Sequence, residues 1–149
     1  MLREPLLYLS LYLKQHRARY YALLDSVRRD GNWEDWLTFF LDGVAKTAGS
    51  AVETAQKLLA LFEADRTTVA SQGRKANAAL RVHEALQRRP VTTLAQVAAV
   101  TGLTFPTVAA GMRNLIALGI ASEVTGRQRN RVFSYTSYLA RLNEGTESA

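Results

Sequence analysis

No cysteine occurs among the 149 residues, which removes disulfides and thiolate metal sites and fits a reducing compartment. Histidine is almost as scarce, with only His16 and His83. Two isolated imidazoles without thiolates make no metal-ligating set, so ordinary helix or surface positions are expected for both. No window approaches the roughly 18 uninterrupted apolar residues of a membrane span. Met1 to Leu13 carries Arg3, Glu4 and Pro5 where a secretory leader would have a basic start and an apolar stretch. The chain is therefore expected in the cytoplasm, without a membrane partner. Acidic residues are missing from one segment in particular. Positions 1–73 hold nine basic and nine acidic residues, whereas 74–131 hold nine Lys/Arg against Glu84 and Glu123 alone. The whole excess of a chain with net charge +6 thus sits in that segment, and a polyanion is its natural partner.

What is present reads as mainly α. Leu6 to Leu13 is apolar nearly all round and is expected to be buried. A helix from about Lys14 to Asp30 presents Tyr20, Tyr21, Leu23, Leu24 and Val27, and Gly31 stands where a left-handed C-terminal cap is wanted. Asn32 offers an N-cap, and Glu34 and Asp35 follow in the first turn, where the helix dipole favours negative charge. From Trp33 the apolar positions Leu37, Phe40, Val44, Ala48, Ala51, Ala55, Leu58 and Phe62 step by three or four, the spacing of one long helix running to about Ala70. Asp25, Asp30, Glu34 and Asp35 are better explained as helix charges than as a catalytic pair. Trp33, Trp36, Phe39 and Phe40 have the spacing of a core face, not of a cofactor box. The N-terminal helical segment is taken as 1–72, because Ser71-Gln72-Gly73 breaks the periodicity.

The second unit, 73–140, has the signals of a winged helix-turn-helix with a small two-stranded wing, and 141–149 is expected to be a flexible tail. Ala76 to Arg88 makes a helix that stops before Pro90. Thr93 caps Leu94 to Val100. Ala98 is small where two steeply crossing helices approach, Gly102 follows where the chain must turn, and Thr104 caps the next helix with Pro106 in its first turn. That helix, Phe105 to Leu118, would point Val108, Met112, Leu115, Ile116 and Leu118 inward and expose Phe105, Ala109, Ala110, Arg113 and Asn114. Gly119 closes it. Ile120 to Thr125 and Arg131 to Tyr135 read as two strands around Gly126-Arg127-Gln128-Arg129-Asn130.

Double-stranded DNA is the partner this arrangement suits. Thr104, Phe105, Thr107 and Arg113 lie on the helix that would enter a groove, and Arg127, Arg129, Asn130 and Arg131 lie on the wing. Thr104, Thr107 and the helix N-terminus suit a phosphate, and the wing arginines suit the backbone beside it. Few of these groups can make bidentate contacts to base edges, so affinity is expected to come mostly from phosphates. A winged helix kept for packing on another protein is the competing reading, since fold alone does not decide function.

Several stretches resemble Fic-family proteins: Pro5-Leu6-Leu7-Tyr8-Leu9-Ser10, Tyr20-Tyr21, Val27-Arg28, the run Gly31 to Val44, and Thr125 to Val132. They are similar to the region after the Fic catalytic loop and to the C-terminal winged helix that many members carry. The resemblance implies a protein that transfers AMP from ATP to a protein hydroxyl, with a histidine base in a His-Pro-Phe motif and a Gly-Asn-Gly-Arg loop on the phosphates. His16 is followed by Arg17-Ala18 and His83 by Glu84-Ala85, and no Gly-Asn-Gly occurs. The expectation is a C-terminal portion of a Fic-like protein without catalytic residues or a cofactor, whose partners are DNA or a separate Fic catalytic core. The apolar N-terminal helices would then pair two copies into a homodimer.

Overall fold

The computed structural model describes residues 9–73 and 76–144. It is mainly helical, with seven α-helices and one small antiparallel sheet among the described residues: α1 Leu9–Gln15, α2 Arg17–Asp30, α3 Trp33–Ala70, α4 Ala76–Arg88, β1 Val91–Thr93, α5 Leu94–Thr101, α6 Phe105–Ala117, β2 Ser122–Glu123, β3 Val132–Ser134 and α7 Thr136–Asn143. Two compact units divide within α3, one holding residues up to Gln56 and the other Lys57–Glu144.

In the first unit the expected helix from Lys14 to Asp30 is broken at His16, whose φ of −107° and ψ of 28° separate α1 from α2. Its backbone N–H donates to the Tyr12 carbonyl at 3.0 Å, and its ring Nδ1 lies 2.9 Å from the same oxygen. Gly31 caps α2 at φ +67°, its N–H donating to Val27. Leu6 to Tyr8 of the apolar N-terminal segment lie outside the described residues, and between Leu9 and Leu13 only Tyr12 is buried. The Tyr12 ring packs on Phe39 with centroids 5.6 Å apart, stacks on His16 at 4.3 Å, and donates its hydroxyl to Asp42. Gly43 makes the approach possible, since a Cβ there would stand 2.6 Å from two Tyr12 ring carbons. Phe39 and Gly43 therefore define the inner face at the start of α3, turned from the expected Trp33 and Leu37, whereas Leu58 of the same stripe is buried and Phe62 packs on the core of the second unit. Trp33 and Leu37 are 57% and 47% exposed.

The second unit builds its core from Val69 of α3, Ala79, Val82 and Leu86 of α4, Val97 of α5, Val108, Met112 and Leu115 of α6, and Ile120, Phe133 and Tyr135 beyond them. Each fully buried Leu or Met side chain contributes about 1.5–3 kcal/mol relative to exposure. α4 and α6 approach tightly at Gly111, where a Cβ would lie 2.9 Å from Val82 Cγ2 and 3.0 Å from the Ala78 carbonyl oxygen. The sheet runs β1-β3-β2, with Thr92 opposite Phe133 and Glu123 opposite Phe133 on its other side. β1 is an addition to the two expected strands, both of which are shorter than the sequence suggested. Residues 141–143, assigned to the tail, end α7, while 145–149 lie outside the described residues.

Candidate nucleic-acid interface

Local side-chain chemistry positions α5 and α6. Thr93 and Gln96 form a reciprocal capping box: the Gln96 amide donates to Thr93 Oγ1 at 3.3 Å, and the Thr93 amide donates to Gln96 Oε1 at 3.1 Å. Gly102 ends α5 at φ +67°, a conformation that costs glycine nothing, and its N–H donates to Ala98 at 2.9 Å. Three residues later α6 leaves at 113° to α5. The Arg81 guanidinium donates to the Thr101 carbonyl and ties α4 to this turn.

Thr104 occupies the N-cap position of α6 in extended backbone, but its hydroxyl makes no cap bond; it lies 2.8 Å from the Thr107 hydroxyl instead. Pro106 brings no N–H, so the first turn of α6 keeps its Phe105 and Thr107 amides without a side-chain cap. Phe105 is 56% exposed and Arg113 is exposed. Asn114 departs from expectation: it is half-buried, and its Nδ2 is enclosed without a hydrogen-bond partner. Ala109, Ile116 and Leu118 are half-buried, while Val108, Met112 and Leu115 are inside as their spacing implied.

The connection between β2 and β3 carries the other four site residues, all exposed: Arg127, Arg129, Asn130 and Arg131. Asn130 has φ +52°, the left-handed turn geometry that asparagine tolerates. Arg131 lies over the Phe133 ring, 5.3 Å from its centroid. Glu123 anchors the foot of the loop by accepting from the Thr125 and Gly126 amides at 2.8 and 3.1 Å and from the Thr125 hydroxyl. The Val132 amide in turn donates to Thr125 Oγ1. The Thr125 hydroxyl, then these amides, with Arg131 adding a smaller pull, hold the Glu123 carboxyl below its ordinary range. Among the described residues no ion pair engages Arg113, Arg127, Arg129 or Arg131. The site residues fall into two groups, one on α6 and one on this loop, and no hydrogen bond joins them. Arg74 and Lys75 of the basic segment lie outside the described residues.

A polar chain that the sequence did not announce links α3, α4 and the residue after β3. His83, expected as an ordinary helix or surface residue, is 2% exposed. Its Nε2 is 3.1 Å from the Tyr135 hydroxyl, which donates its one proton to Asp65. His83 must therefore donate through Nε2, leaving Nδ1 to accept from Gln87 Nε2 at 3.3 Å. Burial pushes the imidazole pKa down, against a smaller upward pull from Asp65, and pushes the Tyr135 phenol far up. Among the described residues no group of three or more His, Cys, Asp or Glu is placed to hold a metal, and no single helix is long and apolar enough to cross a membrane. No family model matches the chain.

Proposed function

We propose that residues 73–140 form a winged helix-turn-helix that binds duplex DNA, and that the chain is a non-catalytic DNA-binding protein acting as a regulator. The observation that carries this reading is the set of four exposed arginines on α6 and the β2–β3 connection, none of them in a salt bridge among the described residues. Unpaired cations in a segment of net +7 favour a phosphate backbone over a neutral protein surface. The order α4, β1, α5, α6, β2, β3 and the three-residue turn at 113° support this reading, since a helix-turn-helix joins two helices at about 90–120° through a short turn. Thr104, Phe105, Thr107 and Arg113 would face the groove, and Arg127, Arg129, Asn130 and Arg131 the backbone beside it.

The test is fluorescence anisotropy on duplex DNA over a salt series. Log affinity should decline with log salt at a slope of about −0.9 per phosphate contacted. Replacing Arg127, Arg129 and Arg131 together by alanine should weaken binding to all sequences alike and flatten that slope. Equal, weak binding of wild type and triple variant at low salt would replace this reading by the second one, a docking module for a separate Fic catalytic core. Two-fold pairing through the N-terminal helices belongs to the same proposal and is supported by the exposure of Tyr21, Trp33, Leu37 and Leu41. A monomeric mass by light scattering at micromolar concentration would remove it.

A further inference from the structure

The solvent face of α6 is chemically narrow. Val108, Gly111, Met112 and Leu115 point to the core, so at 100° per residue the opposite side is Pro106, Ala110, Arg113 and Ala117, all exposed. Only one of these four carries a polar side chain. Asparagine is the side chain suited to a bidentate contact with adenine, yet the Asn114 amide nitrogen is enclosed. The Thr104 and Thr107 hydroxyls bond to each other at the N-terminal edge. What remains for a bidentate contact with a base edge is one planar fork, Arg113, with small apolar surface on either side of it and the Phe105 ring at the helix start.

We infer that α6 selects duplex sites in which thymine 5-methyl groups adjoin a single guanine, the methyls meeting Phe105, Pro106 and Ala110, and the guanine O6 and N7 accepting from Arg113. This rests on the duplex-DNA reading above and gives it a sequence class. In the major groove each base pair has a distinct edge, the thymine methyl being its only apolar group, and an arginine fork matches guanine O6 and N7. From Pro106 to Arg113 the helix rises about 10 Å, the length of roughly three base-pair steps. The unpaired arginines of the β2–β3 connection supply the complementary charge that holds an otherwise apolar face against a polyanion. Asn114 is excluded from the contact, which removes adenine-edge reading from the helix.

The test uses the full chain and duplex oligonucleotides, first selected from a random pool and then varied one atom group at a time. Replacing thymine by deoxyuridine in the selected site deletes only the methyl, and affinity should fall about fourfold for each methyl contacted, the value of one buried methylene. Replacing the guanine by 7-deazaguanine removes N7. Arg113→Ala, at an exposed position, should cost between about fivefold and about a hundredfold on the selected site and abolish discrimination at that one base pair. Affinity for unrelated duplexes should change far less. A selected site lacking thymine beside the guanine, or deoxyuridine duplexes bound as tightly as thymine ones, would overturn the inference while leaving DNA binding intact. No binding to any duplex at low salt would remove both, and that outcome is recognisable before any base is varied.

Discussion

The Tyr135 hydroxyl stands between Asp65 and His83, giving its proton to the carboxylate and accepting from the imidazole 3.1 Å away. One phenol thereby joins α3, α4 and the residue between β3 and α7 through a single buried oxygen. Tyr135→Phe keeps the ring and its packing on Phe62 and Tyr138 but leaves His83 Nε2 buried without an acceptor. The expected loss is about 1–3 kcal/mol, the cost of an unsatisfied buried donor. Urea unfolding of wild type and variant measures it, and an unchanged midpoint would mean that water or Gln87 takes over the bond.

His83 also sets a pH dependence. Its folded pKa lies below its ordinary value of 6.5 because burial disfavours the imidazolium. Between the two pKa values the unfolded chain binds more protons than the folded one, so stability rises with pH across that window. The contribution is complete above about pH 6.5 and is lost as pH falls toward and through the folded pKa. His83→Gln cannot titrate and should flatten this increment in a series of unfolding midpoints from pH 7.5 to 5. Glu123 acts in a separate, more acidic range: its pKa is held below 4.5, so its contribution is present above that value and disappears as pH falls through the folded pKa.

Two helical glycines should answer the same substitution with opposite signs. Gly111→Ala places a methyl 3.0 Å from the Ala78 carbonyl oxygen, which belongs to backbone and cannot rotate away. Overpacking of this kind costs about 1–3 kcal/mol, more than the roughly 0.8–1 kcal/mol that alanine gains in helix propensity. Gly49→Ala meets nothing within 4 Å, so the propensity gain should appear nearly whole. Thermal unfolding of both variants decides the matter, and a stabilised Gly111→Ala would show that α4 and α6 can separate without loss.

The Fic resemblance implies AMP transfer in proteins that carry its catalytic motifs. This chain has neither His-Pro-Phe nor Gly-Asn-Gly, so incubation with labelled ATP and magnesium should leave protein unlabelled, at the level of a no-protein control. Incorporation above that level would show chemistry in residues assigned here to helix faces.

Features set by neighbours in the chain were legible in the sequence. The Thr93 cap, the Gly102 turn and Pro106 in the first turn of α6 depend on three or four consecutive residues, and they appear where their spacing put them. Features that depend on distant partners were not. β1 is three residues long and exists because Val91, Thr92 and Thr93 pair with Ser134, Phe133 and Val132, which no local pattern announces. His83 falls at a packing position of α4, but its polar partners gave no sign in the sequence because Asp65 and Tyr135 lie on other elements. The start of α3 departs from its apolar period: spacing placed Trp33 and Leu37 inward, but the Tyr12 ring settles on Gly43, and a missing side chain leaves no trace in a hydrophobic period. The two site groups were readable as residue types, whereas the enclosure of Asn114 required the packing of α6.

The ties at the foot of the β2–β3 connection divide the entropy of any later encounter unevenly. Backbone freedom around Thr125 and Gly126 is surrendered on folding, when Glu123 gathers their amides. The side chains of Arg127 and Arg129 stand exposed to solvent. A polyanion arriving there has those side chains to immobilise, at about 0.5–1.5 kcal/mol each, and finds the foot of the loop already tied. Protonating Glu123 would weaken those ties and return the ordering of that backbone to the moment of binding, so acid should slow capture even where every arginine keeps its charge.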